Sequence, residues 1–434
     1  MLKHNFTLLI SIWLNLLIAN ASINELLEKF QIPDSSKIKF LSTQNIERKL
    51  DILNDAGFYY TSRNADLSIF ISTTVYHLAD SINYEFGKYD AQNNLGIAFY
   101  RHSRFKQAIV CFDKAYKIAR KMKIAVKEAS VLSNKALVFN SLSDYEQALK
   151  YNFEALKIRM EEKDSMGIAF SYNNIGMTYH YQTNYSQALD YYTKALKIKL
   201  GQNDKEGLAT TYNNIGQLFF EMYSGSQKWT LDSALAYYLK AYFTFSAVSN
   251  KAGLSEVLPN IGNVYSLKNL YDKAFDAYLA AMNVQKQAKD SAGLALTLFN
   301  LGVLYYNQSD YNQSKTYFNK SIDIANKLQI ADLIKDNLKM LFFISGNNHD
   351  YKTAFELASE YATVNDSLND ISRKQLVEDY SGKYEYQIFE RKQLETSIKN
   401  MKTLFIFISS GLIVSVIILL IWVRRKKSNN LKGA

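Results

Sequence analysis

The stretch NNIGMTYH, residues 173–180, decides how this chain folds, because it recurs. NNLGIAFY begins at 93, NNIGQLFF at 213, PNIGNVYS at 259 and FNLGVLYY at 299. Their second residues are Asn94, Asn174, Asn214, Asn260 and Asn300, and Asn134 fills the one remaining slot. The steps are 40, 40, 40, 46 and 40 residues. Five residues after each Asn comes an aromatic: Phe99, Phe139, Tyr179, Phe219, Tyr265 and Tyr305. Self-similarity at such a period marks stacked repeats, each too small to bury its own apolar face.

Spacing inside one period gives its shape. Phe105, Ala108, Phe112 and Ala115 step by 3, 4 and 3, which is one face of an α-helix. A second aromatic column runs through Phe105, Tyr145, Tyr185, Tyr271, Tyr311 and Tyr351, with Leu231 standing in once. Small residues follow at Ala108, Ala148, Ala188, Ala234, Ala274, Ser314 and Ala354. The polar stretches SLSDY and YQTNY separate two helices per period, and Ser143 and Thr183 are placed to cap the second of them. Ser143 also has Glu146 three residues on, a capping-box pattern. Each unit therefore reads as a helical hairpin. Gly96, Gly176, Gly216, Gly262 and Gly302 let neighbouring helices approach closely while aromatics fill the spaces between. Between Phe219 and Ala234, FEMYSGSQKWTLDSA carries six extra residues, with Gly225 and Trp229 in a longer loop.

The N-[LI]-G opening, the aromatic three residues after that Gly and the aromatic–Ala–aromatic–Ala stripe resemble the tetratricopeptide repeat family. The likeness covers roughly residues 51–366, about eight units, degenerate at both ends. Lys135 and Ala136 depart from it by replacing the apolar-Gly pair. The family's helix-ending proline is absent, so second helices should run long. The resemblance implies an all-α superhelical solenoid whose first helices line a concave groove, a binding rather than catalytic role, and a protein or peptide partner in that groove.

The ends read differently. Residues 1–21 carry Lys3, an apolar stretch and Ala19-Asn20-Ala21, the pattern of a cleaved signal peptide. Residues 22–50 form a helical lead-in. Residues 403–423 hold no charge and match the length of a transmembrane helix, and the basic tail 424–434 opens on Arg424, Arg425, Lys426 and Lys427. Positive-inside bias puts that tail in the cytoplasm and the repeats in the periplasm of a bacterial inner-membrane, single-pass protein. Between array and membrane, residues 367–402 form a helical stalk. Val377, Tyr380, Tyr384, Gln387, Arg391, Leu394, Ile398 and Met401 fall on a and d positions there, which fits a short coiled coil and a homodimer, or one amphipathic helix packed on the last repeat. Lys3 and the five cations after residue 423 account for six of the +10 net charge, leaving +4 on the rest. That balance is no nucleic-acid footprint. Cys111 is the single cysteine, so no disulfide framework exists within one chain, and its place in a second helix reads as a core thiol.

Chemistry-bearing motifs are missing. There is no phosphate-cradling Gly box and no G-x-S-x-G elbow, and the five histidines stand apart from one another and from Cys111. No catalytic residue, metal site or cofactor is expected. What remains is a surface. The column Asn94, Asn134, Asn174, Asn214, Asn260 and Asn300 forms a ladder along the first helices, and a carboxamide both donates and accepts, so it can grip an extended peptide backbone. The alternative is that these amides serve hairpin stacking. Tyr100, Arg101, His180, Tyr181 and Tyr306 share the same helices and complete the expected groove.

The whole layout resembles the exported sensor half of bacterial membrane signalling proteins, such as sensor histidine kinases with tetratricopeptide repeats, without their cytoplasmic output domain. The expectation is a sensor or scaffold in envelope signalling. The sensing portion of a truncated histidine kinase and an envelope assembly factor stay open as alternatives.

Overall fold

The computed structural model describes residues 40–61 and 64–364, together with Ile388, Arg391 and Glu395. The expected signal peptide, most of the lead-in, the stalk apart from those three residues, the transmembrane segment and the basic tail lie outside the described residues. Among the described residues no helix is long and apolar enough to cross a membrane.

Every described element is a helix. In chain order they are α1 (Ile46–Tyr60), α2 (Ala65–Ser81), α3 (Glu85–Arg101), α4 (Phe105–Met122), α5 (Ala125–Ser141), α6 (Tyr145–Glu161), α7 (Ser165–Tyr181), α8 (Tyr185–Gly201), α9 (Lys205–Glu221) and α10 (Lys228–Ala247). Then come α11 (Lys251–Leu267), α12 (Tyr271–Ala288), α13 (Ser291–Asn307), α14 (Tyr311–Leu328), α15 (Ala331–Asn347) and α16 (Tyr351–Val364). They fall into two compact units that divide between Val264 and Tyr265. From α1 to α10 each helix packs on the next, and the first helices α1, α3, α5, α7 and α9 also touch one another in succession. Their partners do so far less, which puts the first helices on the inner side of that stack.

The turns follow one design. Ser103, Lys123, Ser143, Lys163, Thr183 and Asn203, spaced by 20 residues, all have left-handed backbone with φ between 54° and 59°. Twenty is half the period, so both turns of a hairpin are alike. After α5, Asp144 N–H donates to the Phe139 carbonyl (2.9 Å) and Ser143 N–H to that of Asn140 (3.0 Å), a Schellman closure that satisfies carbonyls at the helix end. Asp144 then caps α6, accepting from Gln147 N–H at 3.2 Å. Three residues thus close one helix and open the next without Gly or Pro. This corrects the caps expected at Ser143 and Thr183. Those residues are spent on the left-handed turn, and Asp144 and Asn184 cap instead. The six extra residues divide evenly. The α9–α10 linker has six residues where most others have three, and α10 has 20 residues where α9 has 17.

The core repeats too. Phe112, Tyr192, Tyr238, Tyr278 and Phe318, each on a different second helix, are almost wholly buried. Each ring from α4, α8, α10 and α14 lies on a glycine of the preceding first helix. A Cβ added at Gly176 would stand 2.8 Å from Tyr192 Cδ1, and one at Gly216 would stand 2.6 Å from Tyr238 Cδ1. Glycine is needed there because carbon atoms pack no closer than about 3.5 Å. Outside this seam the first-helix aromatics stack on second-helix ones: Tyr179 on Tyr191 (5.6 Å), Phe219 on Tyr237 (5.7 Å) and Tyr305 on Tyr317 (5.4 Å). Cys111 is buried in α4, and burial pushes its thiol up to about 11, too high to serve as a thiolate near neutrality.

Candidate functional site

The Asn ladder turns back on the protein. Asn94 Nδ2 donates to the Asn54 carbonyl (2.9 Å), Asn134 Nδ2 to Asn93 Oδ1 (2.9 Å), Asn214 Nδ2 to Asn173 Oδ1 (3.2 Å) and Asn260 Nδ2 to Asn213 Oδ1 (3.3 Å). In each case one first helix reaches the first helix before it. Asn174 breaks the pattern: it is buried, and its Nδ2 has no partner. Its counterpart acceptor is Ser133, whose short hydroxyl is held by Arg159 at 3.1 Å. The acceptors Asn93, Asn173 and Asn213 form a second periodic column. Its signal was present in the sequence as the doubled Asn of NNIG.

The residues later in these helices carry the open surface. Tyr181 is 51% exposed. Its phenol is nonetheless raised, by burial first and then by the nearby Tyr100, Glu221 and Tyr145. Solvent reaches the ring, which stacks on that of His180 with centroids 6.3 Å apart. Tyr100 is half-buried and accepts from Ser141 Oγ at 3.3 Å, while Arg101 is exposed. His180 is buried, and its Nε2 lies 2.8 Å from Glu221 Oε2 of the next repeat. The hydrogen bond from His180 holds the Glu221 carboxyl below the usual range against the opposing effect of burial. Gln217 Nε2 also donates to Glu221, and Tyr238 Oη donates to Gln217 (both 2.8 Å). On α11, Glu256 accepts from Asn213 Nδ2 at 2.8 Å. Burial pushes its carboxyl up although solvent reaches part of the side chain. A carboxyl on a walled surface has both properties: it is accessible, and it is poorly solvated. Burial pushes the Tyr238 phenol up, and Glu221 and Glu256 add to that push. Among the described residues no lysine or arginine pairs with either carboxylate. Asn300 and Tyr306 are half-buried on α13 in the second unit, where Tyr306 packs against Tyr311 at 5.6 Å.

Residues 127–201 and 252–327 match the family model of the tetratricopeptide repeat. These two segments carry tetratricopeptide repeats. Two solved structures share this fold at low identity. A Rap protein complexed with Competence and Sporulation Factor is 16% identical, with a TM-score of 0.51, over 83% of this chain and 98% of that one. A signal transduction ATPase with numerous domains and a tetratricopeptide repeat sensor, from Pyrococcus horikoshii, is 15% identical, with a TM-score of 0.52, over 79% of this chain and 53% of that one. No curated protein matches. At this identity the two likenesses show the fold alone. Among the described residues no group of three or more His, Cys, Asp or Glu could hold a metal ion.

Proposed function

We propose that this chain is a membrane-anchored periplasmic protein that binds a protein or peptide segment on the first-helix face of its first unit. It would act without catalysis, as a sensor or scaffold in envelope signalling. The observation that carries the binding reading is the row Tyr100, Tyr181, Glu221 and Glu256: an exposed aromatic together with two carboxylates that no lysine or arginine pairs among the described residues. Exposed aromatics supply contact area, and carboxylates held by no lysine or arginine favour a segment bearing Lys or Arg. The asparagines contribute their carbonyl oxygens more than their amides, since Asn134, Asn214 and Asn260 already spend Nδ2 between helices. The membrane part rests on the apolar run 403–423 followed by four cations, and the periplasmic part on residues 1–21. Affinity capture with the full chain against a variant carrying Tyr181→Ala and Glu256→Gln tests the binding reading. Retention of the captured protein should fall at least ten-fold with the melting temperature unchanged. Equal retention by both proteins would defeat it.

A further inference from the structure

The ring column of the second helices has one gap in the middle of the first unit. Phe112 in α4 and Tyr192 in α8 flank it, and at the equivalent place α6 carries Asn152. The facing glycine changes with it: Ala136 stands where Gly96 and Gly176 stand in the neighbouring repeats. A methyl group there is incompatible with a ring, because a Cβ added at Gly176 falls 2.8 and 2.9 Å from two Tyr192 ring carbons. The two departures are therefore one, a matched exchange of Gly plus ring for Ala plus carboxamide.

The exchange gathers polar groups in the core. Asn152 Nδ2 and Asn140 Nδ2 both donate to Thr178 Oγ1, at 3.2 and 3.1 Å, and Thr178 Oγ1 donates to the Asn174 carbonyl at 3.0 Å. All four residues are at least 94% buried. Three side-chain atoms of this cluster are left without partners: the acceptors Asn140 Oδ1 and Asn152 Oδ1, and the donor Asn174 Nδ2. The two carboxamides converge on one hydroxyl, and Asn174 lies one helical turn before Thr178 on the same face. Turning either amide over does not help, because its oxygen would then face a hydroxyl whose proton already goes to Asn174. A carboxamide is also smaller than the phenol it replaces, in an interior packed to crystal-like density.

The same coincidence occurs once more. Ser72 of α2 is the other position of this column in the first unit without a ring, and Ser72 Oγ, Asn54 Oδ1 and Gln92 Oε1 are buried and unpartnered. Among the described residues of the first unit, every such atom belongs to a helix that carries Asn152 or Ser72 or to a helix next to it. The helices α8, α9 and α10, which carry or face Tyr192 and Tyr238, contribute none.

We propose that Asn140, Asn152 and Asn174 form an internal water-binding site. One water molecule donates its two protons to Asn140 Oδ1 and Asn152 Oδ1 and accepts from Asn174 Nδ2. Three hydrogen bonds are what a buried water typically makes, and a site needs both polar partners and room, which the missing ring supplies. The site also accounts for Asn174, the ladder residue whose amide finds no acceptor in the preceding helix.

A crystal structure of the full chain, at a resolution where ordered solvent is visible, is the direct test. The expected result is one density peak at hydrogen-bonding distance from all three atoms. Ordered carboxamides with no peak between them, or amides bonded to each other, would overturn the proposal. Oxygen-17 relaxation dispersion gives a second readout in solution. The variant Ala136→Gly with Asn152→Tyr, which restores the neighbouring pattern, should lose at least one long-lived internal water relative to the parent. An unchanged count in a folded variant would overturn it as well.

Discussion

Replacing Gly216 by alanine tests the ring-on-glycine seam that organises both units. The added Cβ would meet three ring carbons of Tyr238 at 2.6, 2.7 and 3.0 Å. Ordinary carbon contacts lie at about 3.5 Å or more, so the ring must retreat by roughly 0.9 Å. It has little freedom to do so, being fully buried with its hydroxyl tied to Gln217. Forcing an extra methyl into such a place costs about 1–3 kcal/mol. The better helix propensity of alanine returns up to about 1 kcal/mol, so a net loss of about 1–2 kcal/mol is expected. Gly201→Ala is the control: nothing lies within 4 Å of its added Cβ, so only the propensity gain remains. Urea unfolding followed by helical circular dichroism should place the Gly216→Ala midpoint below the parent and that of Gly201→Ala at or above it. Midpoints are compared because repeat arrays need not unfold in one step. If Gly216→Ala is as stable as Gly201→Ala, the ring is not wedged and the account of the seam is wrong.

Other expectations rest on separate features. Lys199 is buried at the end of α8 with only the Gly207 carbonyl (3.0 Å) and Thr211 Oγ1 (2.8 Å) as partners, and burial lowers its ammonium to about 8. Because the unfolded chain keeps that proton to higher pH, stability should rise with pH from about 8 towards 10, by up to roughly 3 kcal/mol in all. Above about 10 the buried tyrosines, whose ionisation is raised by burial, reverse the trend. Lys199→Met should abolish the rise, and an unchanged pH profile would show that Lys199 is not its source. Asn214→Ala should lower stability by about 0.5–1.5 kcal/mol through loss of the bond to Asn173. Lys163→Gly should raise the melting temperature, since its left-handed φ of 55° is strained for a side chain and natural for glycine. A reporter active only in the cytoplasm, fused after Ala434, should be active in cells, and activity of a periplasmic reporter at that place would contradict the proposed topology.

The repeat was legible because packing one hairpin on the next demands the same residue type at the same place every time. Gly176 and Tyr192, Gly216 and Tyr238 had to recur together, so their period exposed the fold. Cap positions were less legible. A Ser followed by Asp in SLSDY can cap with either residue, and only the Schellman closure through Ser143 decides for Asp144. Of the groove expected from the sequence, Tyr181 and Arg101 are exposed while Asn94, Asn174 and His180 are buried. Glu221 and Glu256 were missed because they share no column, one lying near the end of its helix and the other near the start. Nor does spacing say where an amide points. The ladder of asparagines had the right period for a groove, but its hydrogen bonds run between neighbouring first helices. Ala136 and Asn152 looked like separate irregularities in the sequence, and only the contact between their neighbours' Gly and ring shows them to be one exchange.

The central claim is that partner recognition occurs on the first-helix face of the first unit. Site-directed photocrosslinking in living cells addresses it whatever the identity of the partner. A benzoylphenylalanine placed at Tyr181 should yield a discrete crosslinked adduct upon irradiation. The same probe at Phe243, 64% exposed on the second helix α10, should yield none. An adduct at Phe243 with Tyr181 silent would contradict the account.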